Sequence, residues 1–473
     1  MNRIAVIGTG YVGLVTGTCF AGLGNDVVCV DNNEPKIERL RAGTVPFHEP
    51  QLAELIARNL RAGRLAFTTD LAAAVRTAQI VFIAVDTPAS EDGTPDLAAV
   101  RAVAASIGNA LDDPKVVVSK STVPMETGEL IASLIAENST DHHRVAVVSN
   151  PEFLREGSAV ADFMQPDRIV IGTNDAAAEA IMRELYRPLN APIVVTDTRT
   201  SEMIKYAANA FLATKISFMN EIANICDVAG VDVETVARGI GLDHRIGTQS
   251  MRPGIGFGGS CLPKDLQTLE KIAASRGYEA SLLGAVASVN RRQIDRTYDK
   301  VATALGGSVS GKTIAVLGLS FKPETDDTRG APALVLIERL LSAGASIRAH
   351  DPVALETVRA KFGNRIVACD QMYDALRGSD ALVLATEWNE YKTIDFARVK
   401  NLMHGNAVID ARNLFDPTAV ATAGLSYTGI GRPKTPATNV NAPPTKATPA
   451  AAEAKAEAAG VGVLHPRERT RVG

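Results

Sequence analysis

The opening of the chain constrains the fold most. Arg3 to Ile7 reads RIAVI, a short β-branched run that predicts a strand. It passes directly into Gly8-Thr9-Gly10-Tyr11-Val12-Gly13. LVTGTCFAGLG then reads as a helix ending near Gly24, and DVVCVD as a second strand closing on Asp31. Strand, GxGxxG, helix, strand and acid, with about 20 residues between glycines and acid, is a βαβ pattern that seats a dinucleotide. Gly8 permits the tight turn. Gly10 lets backbone approach a pyrophosphate, and Gly13 lets helix and strand pack closely. The helix start offers free N–H groups and partial positive charge to the phosphates. Asp31 can accept from both ribose hydroxyls and would repel a 2′-phosphate, so NAD is expected in preference to NADP.

Further strands follow in AQIVFIAVDTP (Ala78 to Pro88), KVVVSKSTVP (Lys115 to Pro124) and RVAVVSNPEFLREG (Arg144 to Gly157). Ligands of open parallel sheets bind at the carboxyl ends of strands. Thr87, Thr122 and the loop from Asn150 to Glu156 are therefore expected to face cofactor or substrate. From Thr200 to about Val231 the pattern is helical, with Lys205 and Asn209 four apart on one face. Tyr206, Ala207, Ala208, Ala210 and Phe211 make that stretch apolar. A solvated stripe and a functional lysine both remain open on spacing alone. After two more helical stretches, a second βαβ unit begins. It has a strand at Lys312 to Leu319, a helix at Ala331 to Ala343 and a strand at Ala345 to His350 leading to Asp351. Its turn, GLSFKPETDDTRG, lacks the three glycines, so no second dinucleotide is expected there. It carries Lys322 and Arg329, cations suited to phosphates.

The expected fold class is α/β: two Rossmann-like doubly wound domains joined by a central helical segment with a long helix. The expected bounds are 1–199, 200–300 and 301–433, followed by a Pro/Ala/Thr-rich tail at 434–473 expected to be disordered. A length of 473 residues is too great for one core. The net charge of −4 gives no basic surface for nucleic acid or anionic membrane. No apolar run reaches the roughly 18 residues of a membrane span, and MNRIAVIGTGYVG does not read as a signal peptide.

The 5 cysteines, Cys19, Cys29, Cys226, Cys261 and Cys369, are odd in number, widely spaced and without a CxxC pair. That argues against a disulfide scaffold or a zinc site, and for a reducing cytoplasm. Four lie in apolar runs and read as small buried hydrophobes. Cys261 differs, because GIGFGGSCLPKD (Gly254 to Asp265) sets its thiol in glycine-rich backbone.

IAVIGTGYVG, STVP, SNPEFLREG, KYAANAFLA, GFGGSCLPKD and GLSFKPETDDTR occur in this order. Over roughly residues 1–430 the chain resembles the UDP-glucose 6-dehydrogenase family of nucleotide-sugar dehydrogenases. The resemblance implies oxidation of a nucleotide sugar twice at C6, alcohol to acid, with reduction of two NAD and no metal. It implies Cys261 as a covalent nucleophile that forms a thiohemiacetal and then a thioester. Lys205 would stabilise the oxyanion, helped by Asn209, while Asp265 and Thr122 position water and move protons. Glu152 would act as acid and base in thioester hydrolysis, and Glu156 would lie near sugar and nicotinamide. The implied cofactor contacts are Gly8, Gly10, Tyr11, Val12, Gly13, Asp31, Lys36, Thr87, Thr122, Glu156 and Arg329. The implied substrate contacts are Glu152, Phe153, Leu154, Glu156, Lys205, Asn209, Gly258, Lys322 and Arg412. Arg245 would reach the substrate of the neighbouring subunit in a homodimer or higher oligomer. UDP-glucose is the expected substrate, with GDP-mannose or another nucleotide sugar as the alternative. An NAD-binding regulatory protein with an inactive site is the alternative that is not an enzyme.

Overall fold

The computed structural model describes residues 1–88, 90, 93–140 and 144–437. Val/Ile-rich runs, buried on both faces, build two sheets. The first contains β1 (Arg3–Ile7), β2 (Asp26–Val30), β3 (Leu65–Thr68), β4 (Ile80–Ile83), β5 (Lys115–Ser119), β6 (Val145–Ser149), β7 (Ile169–Gly172) and β8 (Ile193–Thr196). Their order is β3-β2-β1-β4-β5-β6-β7-β8. β1 to β6 run parallel, β7 joins β6 antiparallel at Ser149 and Gly172, and β8 runs parallel to β7. The chain order reverses beside β1, and there the carboxyl ends of β1 and β4 open a crevice.

The second sheet contains β9 (Thr313–Leu317), β10 (Ser346–His350), β11 (Val367–Ala368), β12 (Ala381–Leu384), β13 (Ala407–Asp410) and β14 (Ser426–Gly429). Its order, β11-β10-β9-β12-β13-β14, repeats the topology of the first six strands, all parallel. The turns match as well. Gly8 (φ +102°) donates its N–H to Val30 O at 2.8 Å, and Gly318 (φ +89°) donates to His350 O at 2.9 Å. The second unit fills its own ribose-acid position. Asp351 Oδ2 accepts from Leu319 N at 2.7 Å, Ser320 N at 3.1 Å and Trp388 Nε1 at 3.1 Å.

Between the sheets runs the helix Thr198–Ala229, about 48 Å long at 1.5 Å per residue. Asp197 caps it by accepting from Thr200 N at 2.9 Å, and Gly230 (φ +70°) ends it. These caps place both ends two residues earlier than hydrophobic spacing suggested. One face buries Lys205, Tyr206, Asn209, Ser217, Asn220 and Asn224. Another exposes Phe211, Phe218, Ile225 and Val228. The helix is pinned to Ser281–Ala304 by Ser217 Oγ donating to Val286 O (2.9 Å) and Asn224 Nδ2 donating to Gln293 Oε1 (3.1 Å). Thr435 still pairs with Tyr427 in an antiparallel bridge, one residue past the expected start of the tail. The rest of that tail, from 438, lies outside the described residues.

Candidate active site

The glycine-rich turn separates glycines the protein needs from one that it leaves open. A Cβ on Gly8 would meet Ala84 O at 2.5 Å, and one on Gly13 would meet Gly8 O at 2.0 Å. A Cβ on Gly10 would meet only the Asp86 carboxylate, at an ordinary 3.4 Å. Close packing therefore does not require Gly10 to be bare, and its open side suits a phosphate's approach. Gly10 is also the N-cap of the helix Tyr11–Gly22, which has no side-chain cap, so the first-turn N–H groups around Tyr11 and Val12 fit a pyrophosphate.

Asp31 is built to stay ionised. Thr9 donates to its Oδ2 through N (3.0 Å) and Oγ1 (2.6 Å), Lys36 Nζ lies 2.8 Å from the same atom, and Asn33 N donates to Oδ1 at 3.1 Å. Burial works against the charge, but these donors outweigh it and hold the carboxyl below its usual range. The set fits a ribose diol and opposes a 2′-phosphate. We expect NAD to exceed NADP by about 10²-fold in kcat/KM, and Asp31→Ser to narrow the gap. Steady-state kinetics with both cofactors checks this, and equal efficiency of the two in the native chain would refute the role of Asp31.

The loops after β4 and β5 are locked together. Thr87 Oγ1 donates to Thr122 O at 2.8 Å, and Ser121 Oγ donates to Val85 O at 2.7 Å. The Thr87 hydroxyl proton is thus spent on shape, and Thr122 is held partly exposed beside it.

Beyond these loops, residues from three distant segments converge. Lys205 Nζ lies 2.9 Å from Glu152 Oε1, and both side chains are buried. Burial disfavours the lysine charge, but Glu152, Cys261 and Asp265 together outweigh it and raise its pKa. Lys205 is therefore a cation facing those three groups, and the solvated-stripe reading fails. One turn on, Asn209 Nδ2 donates to Asp265 Oδ2 at 2.6 Å. Lys264 Nζ stands 2.9 Å from Asp265 Oδ1, an ion pair without hydrogen-bond geometry.

Cys261 is the N-cap residue of the helix Leu262–Ser275, where the helix dipole favours a thiolate. The other four cysteines are buried, as their apolar settings suggested, and Cys261 is exposed. Solvent touches the residue, yet protein crowds its thiol on enough sides to desolvate it. Burial pushes the thiol up to about 11; Glu152 adds to this and Lys205 opposes it.

The glycines before the thiol have a cause the sequence did not disclose. The resemblance implied Gly258 among them as a substrate contact. A Cβ on Gly258 would meet Gly330 O at 2.2 Å, and one on Gly259 (φ +83°) would meet the Phe321 ring at 2.8 Å. Gly259 N donates to Arg329 O at 3.0 Å, and Ile255 N donates to Ala411 O at 2.9 Å. The second sheet's loops lie against this backbone, and any side chain would push them off. Asn220 Oδ1 accepts from Gly254 N (2.8 Å), and Asn290 bonds both N and O of Phe257 (2.8 and 3.0 Å), fixing the loop to two helices.

The loop carrying Glu152 and Glu156 is not helical, so the two acids part. Glu152 turns inward and also accepts from Leu154 N at 2.5 Å. Glu156 accepts from Thr325 Oγ1 at 3.2 Å, with Arg329 Nη2 3.7 Å away across the domain boundary. Burial, aided by Asp327, raises the Glu156 carboxyl to about 7. Arg329 pairs mainly with Asp327, at 2.7 Å. Lys322 is largely enclosed, and burial lowers its pKa. Arg412 donates to Ala385 O (2.8 Å), Gly256 O (3.2 Å) and Phe321 O (3.4 Å), so it ties the cysteine loop to the second sheet. Within one chain, Arg245 pairs with Asp243 (2.5 Å) and its side chain is 78% exposed, away from the buried cluster.

Several site-building residues escaped sequence reasoning. Arg168 stacks 3.6 Å from the centroid of Phe153. Glu49 accepts from Gly157 N (2.6 Å) and Ala159 N (2.8 Å), and Tyr11 OH accepts from Gly157 N at 2.8 Å. Tyr11, expected at the cofactor, thereby holds the end of the loop after β6. Glu202 Oε1 and Oε2 accept from Gly128 N (2.9 Å) and Glu126 N (2.8 Å), bracing the segment after Thr122. Glu49 and Arg168 lie in FHEP and DRIV, short stretches without periodicity, and nothing local marks either residue.

A doubly wound sheet with a dinucleotide turn, in a chain that also gathers a thiol, an ammonium and carboxylates, has the make-up of a dehydrogenase. Models of the UDP-glucose/GDP-mannose dehydrogenase family match the NAD binding domain at residues 2–190, the central domain at 199–292 and the UDP binding domain at 315–417. The chain belongs to this family of NAD-dependent oxidoreductases. It is 49% identical over 433 residues to the UDP-glucose 6-dehydrogenase TuaD of Bacillus subtilis, covering 92% of this chain and 94% of that protein. It is 46% identical over 444 residues to a UDP-glucose 6-dehydrogenase of Pseudomonas aeruginosa, covering 91% and 98%. The structure of a UDP-glucose dehydrogenase from Pyrobaculum islandicum superposes with a TM-score of 0.86 at 39% identity, covering 91% of this chain and 98% of that one. Among the described residues, no helix is long and apolar enough to cross a membrane.

Proposed function

We propose that this chain oxidises UDP-glucose at C6 to UDP-glucuronate, with two NAD reduced per sugar, through a Cys261 thiohemiacetal and thioester. One observation carries the reading: Glu152, Cys261 and Asp265 all act on the buried Lys205, which pairs with Glu152 while Asn209 bonds Asp265, in a chain whose first sheet carries the dinucleotide turn. Relatives of 46–49% identity that bear the name UDP-glucose 6-dehydrogenase support the choice of sugar.

NAD, when bound, supplies the acceptor for both hydrides. Lys205 is placed to stabilise negative charge on the C6 oxygen as the alcohol loses its proton and hydride. Cys261 Sγ then adds to the aldehyde carbon, and its proton passes to the oxygen side. Loss of the second hydride to NAD, and of the hydroxyl proton to solvent through the neighbouring carboxylates, would leave a thioester. Water, held by Asp265 and Thr122 and deprotonated through Glu152, breaks the C–S bond and releases the acid. Burial of the cluster strengthens each of these interactions. Phe153, Leu154 and Gly258 would line the sugar, Lys322 and Arg412 would meet the nucleotide, and Arg329 the cofactor. Residues 1–199, 200–300 and 301–433 would serve as cofactor, central and nucleotide domains. The exposed Phe211, Phe218, Ile225 and Val228 suit a homodimer formed through the long helix, with Arg245 crossing to the partner's site. The setting is cytoplasmic.

The test is NADH yield at completion on limiting UDP-glucose or GDP-mannose with excess NAD. Two NADH per UDP-glucose are expected. Two per GDP-mannose instead would overturn the choice of sugar, one would mean release of the aldehyde, and none from either would remove the reading.

A further inference from the structure

Lys120 carries a charge that the mechanism above does not use. It lies just past β5 with its side chain buried. Its Nζ donates to Asn150 Oδ1 at 3.0 Å and Tyr186 OH at 3.3 Å, and lies 5.7 Å from the Tyr186 ring centroid. Tyr186 donates its own hydroxyl to Asn150 Oδ1 at 2.5 Å, and Asn150 Nδ2 donates to Val170 O at 2.7 Å. Both acceptors of the ammonium are neutral. A buried cation whose hydrogen-bond partners carry no charge is costly. Burial brings the Lys120 pKa down to about 8, with Glu152 holding it up and Lys205 pushing it further down.

Stability does not ask for this charge. A methionine would fill a similar space, and Tyr186 would still satisfy the Asn150 oxygen. The charge instead reaches the reacting centre. The two charged groups that act on Lys120 are Glu152, from the loop after β6, and Lys205, from the long helix. The same two act on Cys261. Asn150 is also the first residue of the Asn150-Pro151-Glu152 turn, so whatever orients its amide orients the approach of Glu152 to Lys205.

We propose that Lys120 is a positioning residue of the oxidation site: it clamps Asn150 and, through the Asn150-Pro151-Glu152 turn, holds Glu152 against Lys205, the two groups that act on Cys261. The proposal rests on the reading of Cys261 as nucleophile. Its test includes a readout that needs no turnover.

The full chain carrying Lys120→Met is compared with the native chain in three measurements. Its thermal midpoint is expected to equal or exceed the native one. With UDP-glucose, kcat is expected to fall about tenfold or more with KM little changed. Alkylation by iodoacetamide at pH 7, which selects Cys261 because the other four cysteines are buried, is expected to slow about three- to tenfold, as less thiolate is present. An unchanged alkylation rate, or kcat within a factor of two, overturns the proposal. So does a kcat loss matched by a fall in thermal midpoint, which would mark a purely structural clamp. If the methionine variant does not fold, the native chain decides. Its logarithmic alkylation rate against pH should bend below the usual lysine range as Lys120 loses its proton, and a straight line from about pH 6 to about pH 10 overturns the idea. Native NADH yield, measured in parallel, separates failure of this proposal from failure of the functional reading.

Discussion

Cys261→Ser is expected to abolish acid formation, lowering kcat by about 10³-fold or more, while UDP-glucose still binds. The thiol occupies the N-cap of its helix with no side-chain hydrogen bond to the backbone there, so the substitution costs the fold little. Chemistry is another matter. With the thiol at about 11, roughly one molecule in 10⁴ holds a free thiolate at pH 7. Even so, a thiol can be deprotonated by a neighbouring base as substrate closes in, whereas a serine hydroxyl is far weaker as an acid. The first oxidation, alcohol to aldehyde, makes no bond to sulfur. The variant is therefore expected to release at most about one NADH per site in a rapid phase and then stall. Stopped-flow absorbance with enzyme in excess measures this directly, and calorimetry with UDP-glucose checks binding. Sustained production of acid by the variant would end the covalent mechanism.

The second large effect concerns Lys205. Lys205→Met removes the cation that lies 2.9 Å from Glu152 and leaves that carboxylate buried. Breaking a buried pair from one side costs about 3–5 kcal/mol, because the remaining charge is uncompensated. Removing a preorganised donor to a developing oxyanion costs about 10²–10³ in kcat. Both losses are expected together, in denaturant unfolding and in steady-state turnover. A second variant separates them. Adding Glu152→Gln removes the orphaned charge, so stability should largely return, while turnover stays low; the first hydride transfer, which does not use Glu152, then reports the loss of Lys205 alone in stopped-flow absorbance. Recovery of turnover in the double variant would show that Lys205 acts only by neutralising Glu152. Native-like stability of Lys205→Met alone would mean that the pair is solvated in solution.

Much of this molecule was legible in the sequence because its signals are local. The strand, glycine turn, helix and acid of residues 3–31 each obey steric rules that act over a few residues, and the structure realises them in order. The second unit repeats that logic with Gly318 but without the three-glycine run, and its parallel sheet follows. The 3.6-residue period of the long helix put Lys205 and Asn209 on one buried face, although its caps at Asp197 and Gly230 moved the ends. Cys261 stood out because a thiol in glycine-rich backbone has no ordinary packing explanation.

Other features were decided only when distant segments met. No local rule relates Gly258 to Gly330, yet the approach of that carbonyl is what keeps Gly258 bare. Nothing at Asn220 or Asn290 marks them as clamps of the cysteine loop, because a buried asparagine and a solvated one look alike in a helical pattern. Arg412 was implied as a substrate contact, but only the fold shows that three of its N–H groups also tie Ala385, Gly256 and Phe321 together. Lys120 reads as a strand-end lysine, and only the fold shows that its acceptors are neutral and that the charges of Glu152 and Lys205 act on it. Sequence alone determined which elements form and where the cofactor turn lies, since backbone sterics and hydrophobic period act at short range. The tertiary structure decided which charges share a buried space, because desolvation and Coulomb energy depend on distance in space and burial, not on separation along the chain.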